Sequence, residues 1–294
     1  MSISAMLLGL ICVMSAEPTG SLPGSMTINN CLVALDEEAE VPAQEPGVLM
    51  ELPVKEGQQV KAGELLAKID DNLSQMELRV AKSQLEVARE EAENNVNVEY
   101  ATAAAKVSEV NYLKNAEANK QVKGSVPEME IERLKLEWKR SLLSIEQSKM
   151  DKRVAGLKFR VSQAELDAAA EKVERRQIKA PLDGQVRKLY HHVGEWVQPS
   201  DPVLHVVRVN RLRTEGLLKA SEFAPEEVSG RPVTIKVQLA RGRVETFKGA
   251  VVFVDPMVQA GSEYLVRAAI QNREENGQWL LRAGMEAEMT IQLK

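Results

Sequence analysis

A seven-residue repeat of apolar side chains runs through residues 128–176 and constrains the fold more than any other feature. Large side chains occupy one position of the repeat, with a single misfit at Lys152: Ile131, Trp138, Ile145, Lys152, Phe159, Leu166 and Val173. Mostly small side chains occupy the other: Leu134, Ser141, Ser148, Ala155, Ser162, Ala169 and Arg176. This pattern predicts a long supercoiled helix that packs closely against a partner helix.

The partner helix is predicted immediately upstream. Its apolar seam is looser and shifts near residues 94–97, which indicates a four-residue stutter. The seam consists of Leu78, Ala81, Leu85, Ala88, Ala92, Tyr100, Ala103, Val107 and Val110. Gly124 and Pro127 stop helix propagation from both sides. Residues 72–176 are therefore predicted to form an antiparallel hairpin with its tip at 123–127, and each arm would reach roughly 70 Å.

Composition and charge argue against several functional classes. The length of 294 residues allows about two domains. The net charge is −5, so a nucleic-acid partner has no electrostatic support. Cys12 and Cys31 are the two cysteines, and both precede every periodic segment. They therefore suggest neither a disulfide-stapled core nor a zinc or redox site.

The N-terminal residues are predicted to be a leader followed by a linker. An apolar run that is too short to span a bilayer, followed by small residues, is typical of a signal peptide over residues 1–16. No Lys or Arg precedes Lys55, so either the true start lies elsewhere or the leader is atypical. The bulky Ile11 disfavours lipid attachment at Cys12. Residues 17–40 show no periodicity and are predicted to be a flexible lead-in.

Two segments that flank the hairpin repeat one β pattern. In 41–71 and 177–209, short apolar alternations are separated by turn glycines, and the segments coincide when offset by 137 residues. The matched pairs include Gly47 and Gly184, Leu52 and Leu189, Gly57 and Gly194, Val60 and Val197, Leu66 and Val203, and Ile69 and Val206. One half alone would leave an apolar face in water. The halves are therefore predicted to close into one β-sandwich, with the hairpin inserted between them.

The region after the second half, residues 210–294, is predicted to be a small β-barrel. Apolar and polar residues alternate strictly in 233–239 and again in 287–293. This period of two indicates strands with one buried face. Several short strands within one compact region favour a barrel.

The order of these parts resembles HlyD-type membrane fusion proteins, the periplasmic adaptors of tripartite efflux and secretion systems. The similarity rests on Glu56-Gly57-Gln58, Val60-Lys61, Gly63-Glu64 and Leu66 in the first half, on Ala180-Pro181 and Gly184 in the second, and on segments 249–256, 264–268 and 281–285, where the family usually has proline in place of Ala283. The resemblance implies a mixed fold: a split lipoyl-like β-sandwich (barrel-sandwich hybrid) with an inserted antiparallel α-helical coiled-coil hairpin, followed by a β-barrel domain.

The resemblance also implies a function. It predicts a non-enzymatic, homo-oligomeric adaptor in the periplasm, associated with the inner membrane of a Gram-negative-type cell envelope. Its partners would be an inner-membrane transporter of RND or ABC type and an outer-membrane channel. The hairpin tip would supply the channel contact through Lys123, Gly124, Ser125, Val126 and Pro127.

Two features depart from the family pattern. Adaptors that dock a TolC-like channel carry a spaced Arg, Leu and Ser at the tip, where this chain has Ala116, Lys120 and Pro127. The channel partner is therefore either different or held through the shape and backbone of the tip. The sequence also stops at Lys294, directly after the barrel, which predicts a minimal adaptor without an additional membrane-proximal domain.

Three other functions compete with this interpretation. A carrier domain would present a modified lysine between the halves, but residues 69–73 contain none and Lys68 is predicted to be a surface charge. A metal site could use His191, His192 and His205, but adjacent histidines on a strand point to opposite faces, and His191 and His192 are instead predicted to be an exposed β-turn pair. No catalytic, cofactor or metal site is predicted. The main alternative is an envelope coiled-coil scaffold or tether that is not coupled to a pump.

Overall fold

The computed structural model describes residues 24–293, so the predicted signal peptide over 1–16 and the first part of the lead-in lie outside the described residues. The helices are α1 (Asn72–Glu93), α2 (Val96–Gln121), α3 (Glu128–Glu174) and α4 (Pro225–Val228). The strands before α4 are β1 (Ser25–Leu35), β2 (Glu38–Pro42), β3 (Gly47–Glu51), β4 (Gln59–Val60), β5 (Leu65–Ile69), β6 (Gln177–Lys179), β7 (Gly184–Leu189), β8 (Trp196–Val197), β9 (Pro202–Val207) and β10 (Arg211–Lys219). Those after it are β11 (Pro232–Gln238), β12 (Val244–Val254), β13 (Glu263–Gln271), β14 (Glu274–Glu275), β15 (Gln278–Trp279) and β16 (Glu286–Gln292).

The two repeated halves form one β-sandwich by exchanging strands. Its two sheets have the strand orders β2-β9-β7-β4 and β6-β5-β3-β8. Gly47 pairs with Val197 in one sheet, and Val60 pairs with Gly184 in the other. These are equivalent residues of the repeat in reciprocal contacts. The prediction that the distant segments are halves of a single body is therefore confirmed.

The turn glycines of the repeat are reciprocal as well. The Gly57 N–H donates to the Val186 carbonyl at 2.8 Å, and the Gly194 N–H donates to the Leu49 carbonyl at 2.8 Å. Between the sheets lies one apolar core that both halves fill: Val41, Ala43, Leu49, Val54, Val60, Leu66, Ala67, Ile69, Ile178, Ala180, Val186, Val197, Val203, Leu204 and Val206. Burial of these apolar side chains contributes most of the free energy that holds the two halves together.

Helix α3 packs against α1 and α2 through the predicted heptad seam. Its buried or half-buried positions include Ile131, Leu134, Trp138, Ser141, Ile145, Ser148, Ala155, Phe159, Ser162, Leu166, Ala169 and Val173. Arg176 lies beyond the end of the helix, where its guanidinium donates to the Asp70 carbonyl at the root of the hairpin. The predicted antiparallel hairpin is confirmed, and small side chains in the seam let the arms approach closely.

The register shift predicted at 94–97 is confirmed in its place, but it is a break and not a stutter, because the first arm is two helices separated at Asn94 and Asn95. Asn94 is extended, with ψ 117°, and its side-chain oxygen accepts a hydrogen bond from the Val96 N–H at 2.9 Å. On the opposite arm, Lys152 donates to the Asn95 side-chain oxygen. Lys152, the polar residue in the otherwise apolar or small seam of α3, thus lies against the break between α1 and α2.

The break also changes which side of the first arm faces α3. Before it, the predicted seam is confirmed: Leu78, Ala81, Leu85, Ala88 and Ala92 are buried or half-buried. After it, the buried or half-buried positions include Val98, Ala101, Ala105, Val110 and Tyr112, so the prediction for Val110 is confirmed. The predicted seam residues Tyr100, Ala103 and Val107 are exposed. The helix restarts in a phase different from the one that a four-residue stutter gives, so the predicted shift placed Tyr100, Ala103 and Val107 on the wrong face.

Replacing Trp138 with alanine is expected to lower the free energy of unfolding by about 2–3 kcal/mol. Its ring stacks on Tyr112 across the arms, with centroids 5.6 Å apart. Since Trp138 is only half-buried, the loss should be smaller than for a fully enclosed ring. Thermal unfolding followed by the helical circular dichroism signal measures it. Tyr100→Ala is the control, because Tyr100 is 76% exposed. Equal melting of the two variants would show that the ring contact contributes nothing.

The second body is a closed barrel in the order β1-β10-β13-β12-β11-β16. The described part of the predicted flexible lead-in (17–40) is therefore not flexible: it contains β1, which pairs with β10 and β16, and the start of β2. A bulge between Ile28 and Cys31 explains why the sequence looks aperiodic, since Asn30 adopts the left-handed φ of 60° and shifts the alternation.

Burial raises the pKa of the Cys31 thiol to about 11.

Two crossing segments join the sandwich to the barrel, one between β1 and β2 and one between β9 and β10. They are held side by side by two ion pairs, Arg208 with Glu37 at 3.0 Å and Arg211 with Asp36 at 2.9 Å. The Arg208 N–H also donates to the Glu37 carbonyl at 3.0 Å. The junction is thus a two-stranded, charge-paired neck.

Candidate functional site

The hairpin tip is a short ordered turn between α2 and α3. It contains the five residues predicted for partner contact: Lys123, Gly124, Ser125, Val126 and Pro127. Gly124 has a φ of +88°, in the left-handed region that favours glycine. Pro127 has a φ of −55° and directly precedes α3, where its ring fits the start of a helix. The residues that stop the two helices therefore also set the shape of the turn.

Side chains of the last turn of α2 hold the tip in place. The Asn119 side-chain oxygen accepts a hydrogen bond from the Gly124 N–H at 2.9 Å and a longer one, 3.5 Å, from the Val126 N–H. The Ser125 hydroxyl donates to the Ala118 carbonyl at 3.1 Å. These bonds satisfy backbone groups that helix ends leave unpaired, so the tip presents a defined surface.

The most exposed apolar groups of the tip lie just outside the predicted five residues. Met129 is 86% exposed and Val122 is 65% exposed, on either side of the turn. Lys123 adds a cation beside them. The sequence analysis did not predict these two residues as contacts. Each is an apolar residue outside the heptad seam and next to a helix end, and this combination could have identified them. Flexible Met side chains suit adaptable contact surfaces.

A lateral groove lies nearer the root of the hairpin, between α1 and α3, with a volume of about 850 Å³. Its floor is apolar and unusually exposed for such residues: Val80, Val87, Val154, Leu157 and Val161. Both charge signs line the groove as well: Arg79, Lys158, Glu91 and Glu165. We call these residues the lateral groove. Contiguous exposed apolar surface of this kind marks an interaction site.

The three histidines occupy two separate places. His191 and His192 lie in the loop after β7, and both rings approach Glu195, at 2.9 and 3.4 Å. The hydrogen bond from His191 is the main cause that lowers the pKa of Glu195. His205 is buried on β9, with its Nε2 3.1 Å from a Glu38 carboxylate oxygen. Within residues 24–293, no group of three or more His, Cys, Asp or Glu side chains is arranged to hold a metal ion.

Lys68 ends the first half of the sandwich, where a carrier domain would display its modified lysine. Its ammonium lies 3.1 Å from the Asp71 carboxylate, and its side chain is 30% exposed. The next residues lead directly into α1 rather than into a protruding turn. This lysine is engaged in a local ion pair at the hairpin root.

None of the described helices is both long and apolar enough to cross a membrane.

Comparisons with known proteins agree with this architecture. A family model for the barrel-sandwich hybrid domain of RND membrane fusion proteins matches residues 37–209. An uncharacterised protein of Haemophilus influenzae is 24% identical over 262 residues, which cover 89% of this chain and 56% of that protein. The multidrug resistance protein MdtA of Escherichia fergusonii is 24% identical over 235 residues, 78% of this chain and 50% of MdtA. The chain thus spans about half the length of the curated relatives it matches.

Solved structures share the fold. MacA from Actinobacillus actinomycetemcomitans superposes with a TM-score of 0.62 at 23% identity, over 91% of this chain and 80% of MacA. A MacA–MexA chimeric protein with the Pseudomonas aeruginosa MexA α-hairpin superposes with a TM-score of 0.52 at 21% identity, over 94% of this chain and 84% of the chimera. Because the matched family model spans more than half of the sequence, the chain belongs to the RND membrane fusion proteins, the periplasmic adaptor family of efflux systems.

Proposed function

We propose that this protein is the periplasmic adaptor of an efflux or secretion system and links an inner-membrane transporter to an outer-membrane channel. The observation that carries the proposal is the hairpin. Helix α3 alone has 47 residues, which corresponds to roughly 70 Å at 1.5 Å per residue. A projection of this length buries few side chains, so its role is to extend the protein to a distant partner. The proposed role is mechanical and non-enzymatic: coupling two membrane proteins and sealing the path between them.

The root of the hairpin supports a mechanical role because it is fastened to the sandwich at several points. The Ile69 N–H donates to the Arg176 carbonyl at 2.9 Å, and the Arg176 guanidinium reaches back to the Asp70 carbonyl. The arms themselves are joined near the root by Lys172 and Glu77 at 2.7 Å. Motion of the sandwich would therefore be transmitted to the hairpin.

The lateral groove supports a homo-oligomer. Its apolar floor would be covered by the hairpin of a second copy, and the two charge signs that line it allow ion pairs between copies. Several copies acting together would raise the affinity for both membrane partners without new contacts within one chain. We propose that the oligomer is associated with the inner membrane on its periplasmic side.

The inner-membrane partner is proposed to be an RND-type or an ABC-type transporter. The matched family model is named for RND systems, and the relative MdtA is named as a multidrug resistance protein. The first name favours an RND-type transporter, and the second favours a system that confers drug resistance. The tip residues Lys123 to Pro127, with Val122 and Met129 beside them, are proposed as the contact with the channel.

Photo-crosslinking in the native host tests this function. A photoreactive amino acid in place of Ser125 should capture an outer-membrane channel protein, because Ser125 lies at the far end of the hairpin. The same amino acid in place of Leu143, which is 70% exposed and lies about a third of the way along α3 from the tip, is the matched control and should not capture the channel. Capture of unrelated envelope proteins from position 125, and no transporter in the purified complex, would instead identify a scaffold without a pump.

A further inference from the structure

A cleft opens where the sandwich meets the barrel, beside the charge-paired neck. It consists of two hollows of about 500 and 630 Å³ that share Gln59, Val209 and Trp279 in their linings. Small-molecule sites in proteins occupy about 300–1,000 Å³ and often lie between domains. The size and position of this cleft are therefore those of a ligand site.

Trp279 stands between the two hollows, at the end of the short β14–β15 hairpin. This hairpin is clamped to the barrel by ion pairs, Arg243 with Glu275 and Arg273 with Glu245, each at 2.8 Å. The indole Nε1 is shielded from solvent and has no hydrogen-bond acceptor among the described residues. A buried N–H without an acceptor costs free energy. A bound molecule with an acceptor group would remove that cost.

The charges of the two hollows differ. Arg187 and Arg282 line the larger hollow, and no carboxylate does. Arg282 forms no ion pair within residues 24–293, and the carboxylate that pairs with Arg187, that of Glu38, is 4.0 Å away. The smaller hollow carries three carboxylates and one lysine: Glu64, Asp183, Glu274 and Lys61. An anionic group would therefore be drawn to the larger hollow.

The rest of the larger hollow is partly apolar and partly lined by the side-chain amides of Gln59, Gln185 and Gln278. Its lining includes Leu35, Val207, Val209, Leu212 and Leu281. Apolar walls, an indole ring and two guanidinium groups recognise a molecule with a hydrophobic body and one acidic group. We infer that the cleft binds an amphipathic organic anion, whose ring system lies beside Trp279 and whose carboxylate or sulfonate pairs with Arg187 and Arg282.

Occupancy of this site would affect the relative orientation of the two bodies. The ligand would touch the sandwich through Arg187 and the barrel through Arg282, on one side of the neck. A ligand that contacts both bodies stabilises the orientation in which both sets of contacts form. The inference does not depend on which transporter or channel the adaptor serves.

Titration of the full chain with the fluorescent probe 8-anilinonaphthalene-1-sulfonate tests the site. We expect saturable binding of one molecule per chain. Arg187→Gln together with Arg282→Gln should weaken it at least ~10-fold, because two charge-assisted contacts are lost. Both arginines are exposed, so this variant should melt at the native temperature. Trp279→Phe should reduce energy transfer from tryptophan to the probe.

Two controls separate the cleft from other apolar surfaces. Val87→Ser with Leu157→Ser, in the lateral groove, should leave the affinity for the probe unchanged. The uncharged analogue N-phenyl-1-naphthylamine should bind the native chain and the double-arginine variant equally. Unchanged affinity of the sulfonate probe in the double-arginine variant would overturn the inference, and so would loss of binding in the groove variant alone.

Discussion

Replacing Gly184 with alanine is expected to destabilise the sandwich by about 3 kcal/mol or more. A Cβ at this position would collide with the Val207 carbonyl oxygen and lie 2.9 Å from the carbonyl carbon. These are backbone atoms of β9, in the middle of its sheet, so they cannot turn aside as a flexible side chain would. Urea unfolding measures the loss, and hydrogen exchange of the β7 and β9 amides locates it.

Gly156→Ala is the matched control for that substitution. Gly156 lies within α3, and a Cβ there would meet nothing within 4 Å. Because alanine favours helix over glycine, this variant should be as stable as the native chain or more stable by about 0.5–1 kcal/mol. A Gly184→Ala variant that unfolds at the native urea concentration would show that β7 and β9 do not pack as closely as the structure has them.

Val87→Glu combined with Leu157→Glu is expected to dissociate the proposed oligomer and to weaken self-association at least ~100-fold. In a single chain both side chains are exposed, at 62% and 52%, so the hairpin should keep its helix content and melting temperature. In an assembly, the two carboxylates would be buried against an apolar neighbour without partners, which is costly. Sedimentation velocity of the full chain at matched concentrations measures the change.

Val252→Glu serves as the control for this effect. Val252 is 57% exposed on the barrel, far from the lateral groove in the sequence and on a different body. The same charge placed there should leave the oligomer intact. Equal dissociation by both variants would point to a general charge effect, and an unaffected oligomer in the groove variant would remove the groove from the interface.

The parts of the fold that could be predicted are those in which the sequence repeats itself. The seven-residue period of α3 selected the inward face because nothing interrupts that helix between Glu128 and Glu174. The glycines Gly47 and Gly184 marked equivalent strands because a Cβ at either position would collide with a neighbouring strand, with the Ile69 side chain at Gly47 and with the Val207 carbonyl at Gly184. In each case the residue type that the local pattern predicts is also the type that the tertiary contact requires.

The predictions failed where one residue changes the phase of a pattern. Asn30 adopts a left-handed conformation within β1, and the resulting bulge hid a barrel strand inside an apparent linker. The break at Asn94 and Asn95 rotated the second half of the first arm, so Tyr100 and Val107 face solvent. Such shifts depend on hydrogen bonds and packing that periodicity does not encode.

The candidate sites were predicted unevenly for the same reason. Gly124 and Pro127 place the tip because they stop both helices, whereas the hydrogen bond that Asn119 accepts from the Gly124 N–H spans five residues without a periodic signal. The cleft beside Trp279 could not be predicted, because its walls come from the sandwich and the barrel. No stretch of sequence contains that juxtaposition.

The most direct test of the central claim, that two distant segments form one body with the hairpin inserted between them, is a disulfide between Val48→Cys and Trp196→Cys. These residues are directly opposed in neighbouring strands of the two halves. Both are at least partly exposed, and the buried Cys31 thiol should not compete. We expect rapid oxidation to an intramolecular disulfide, seen as faster migration on a non-reducing gel. Thiols that stay reduced, or that link only separate chains, would contradict it.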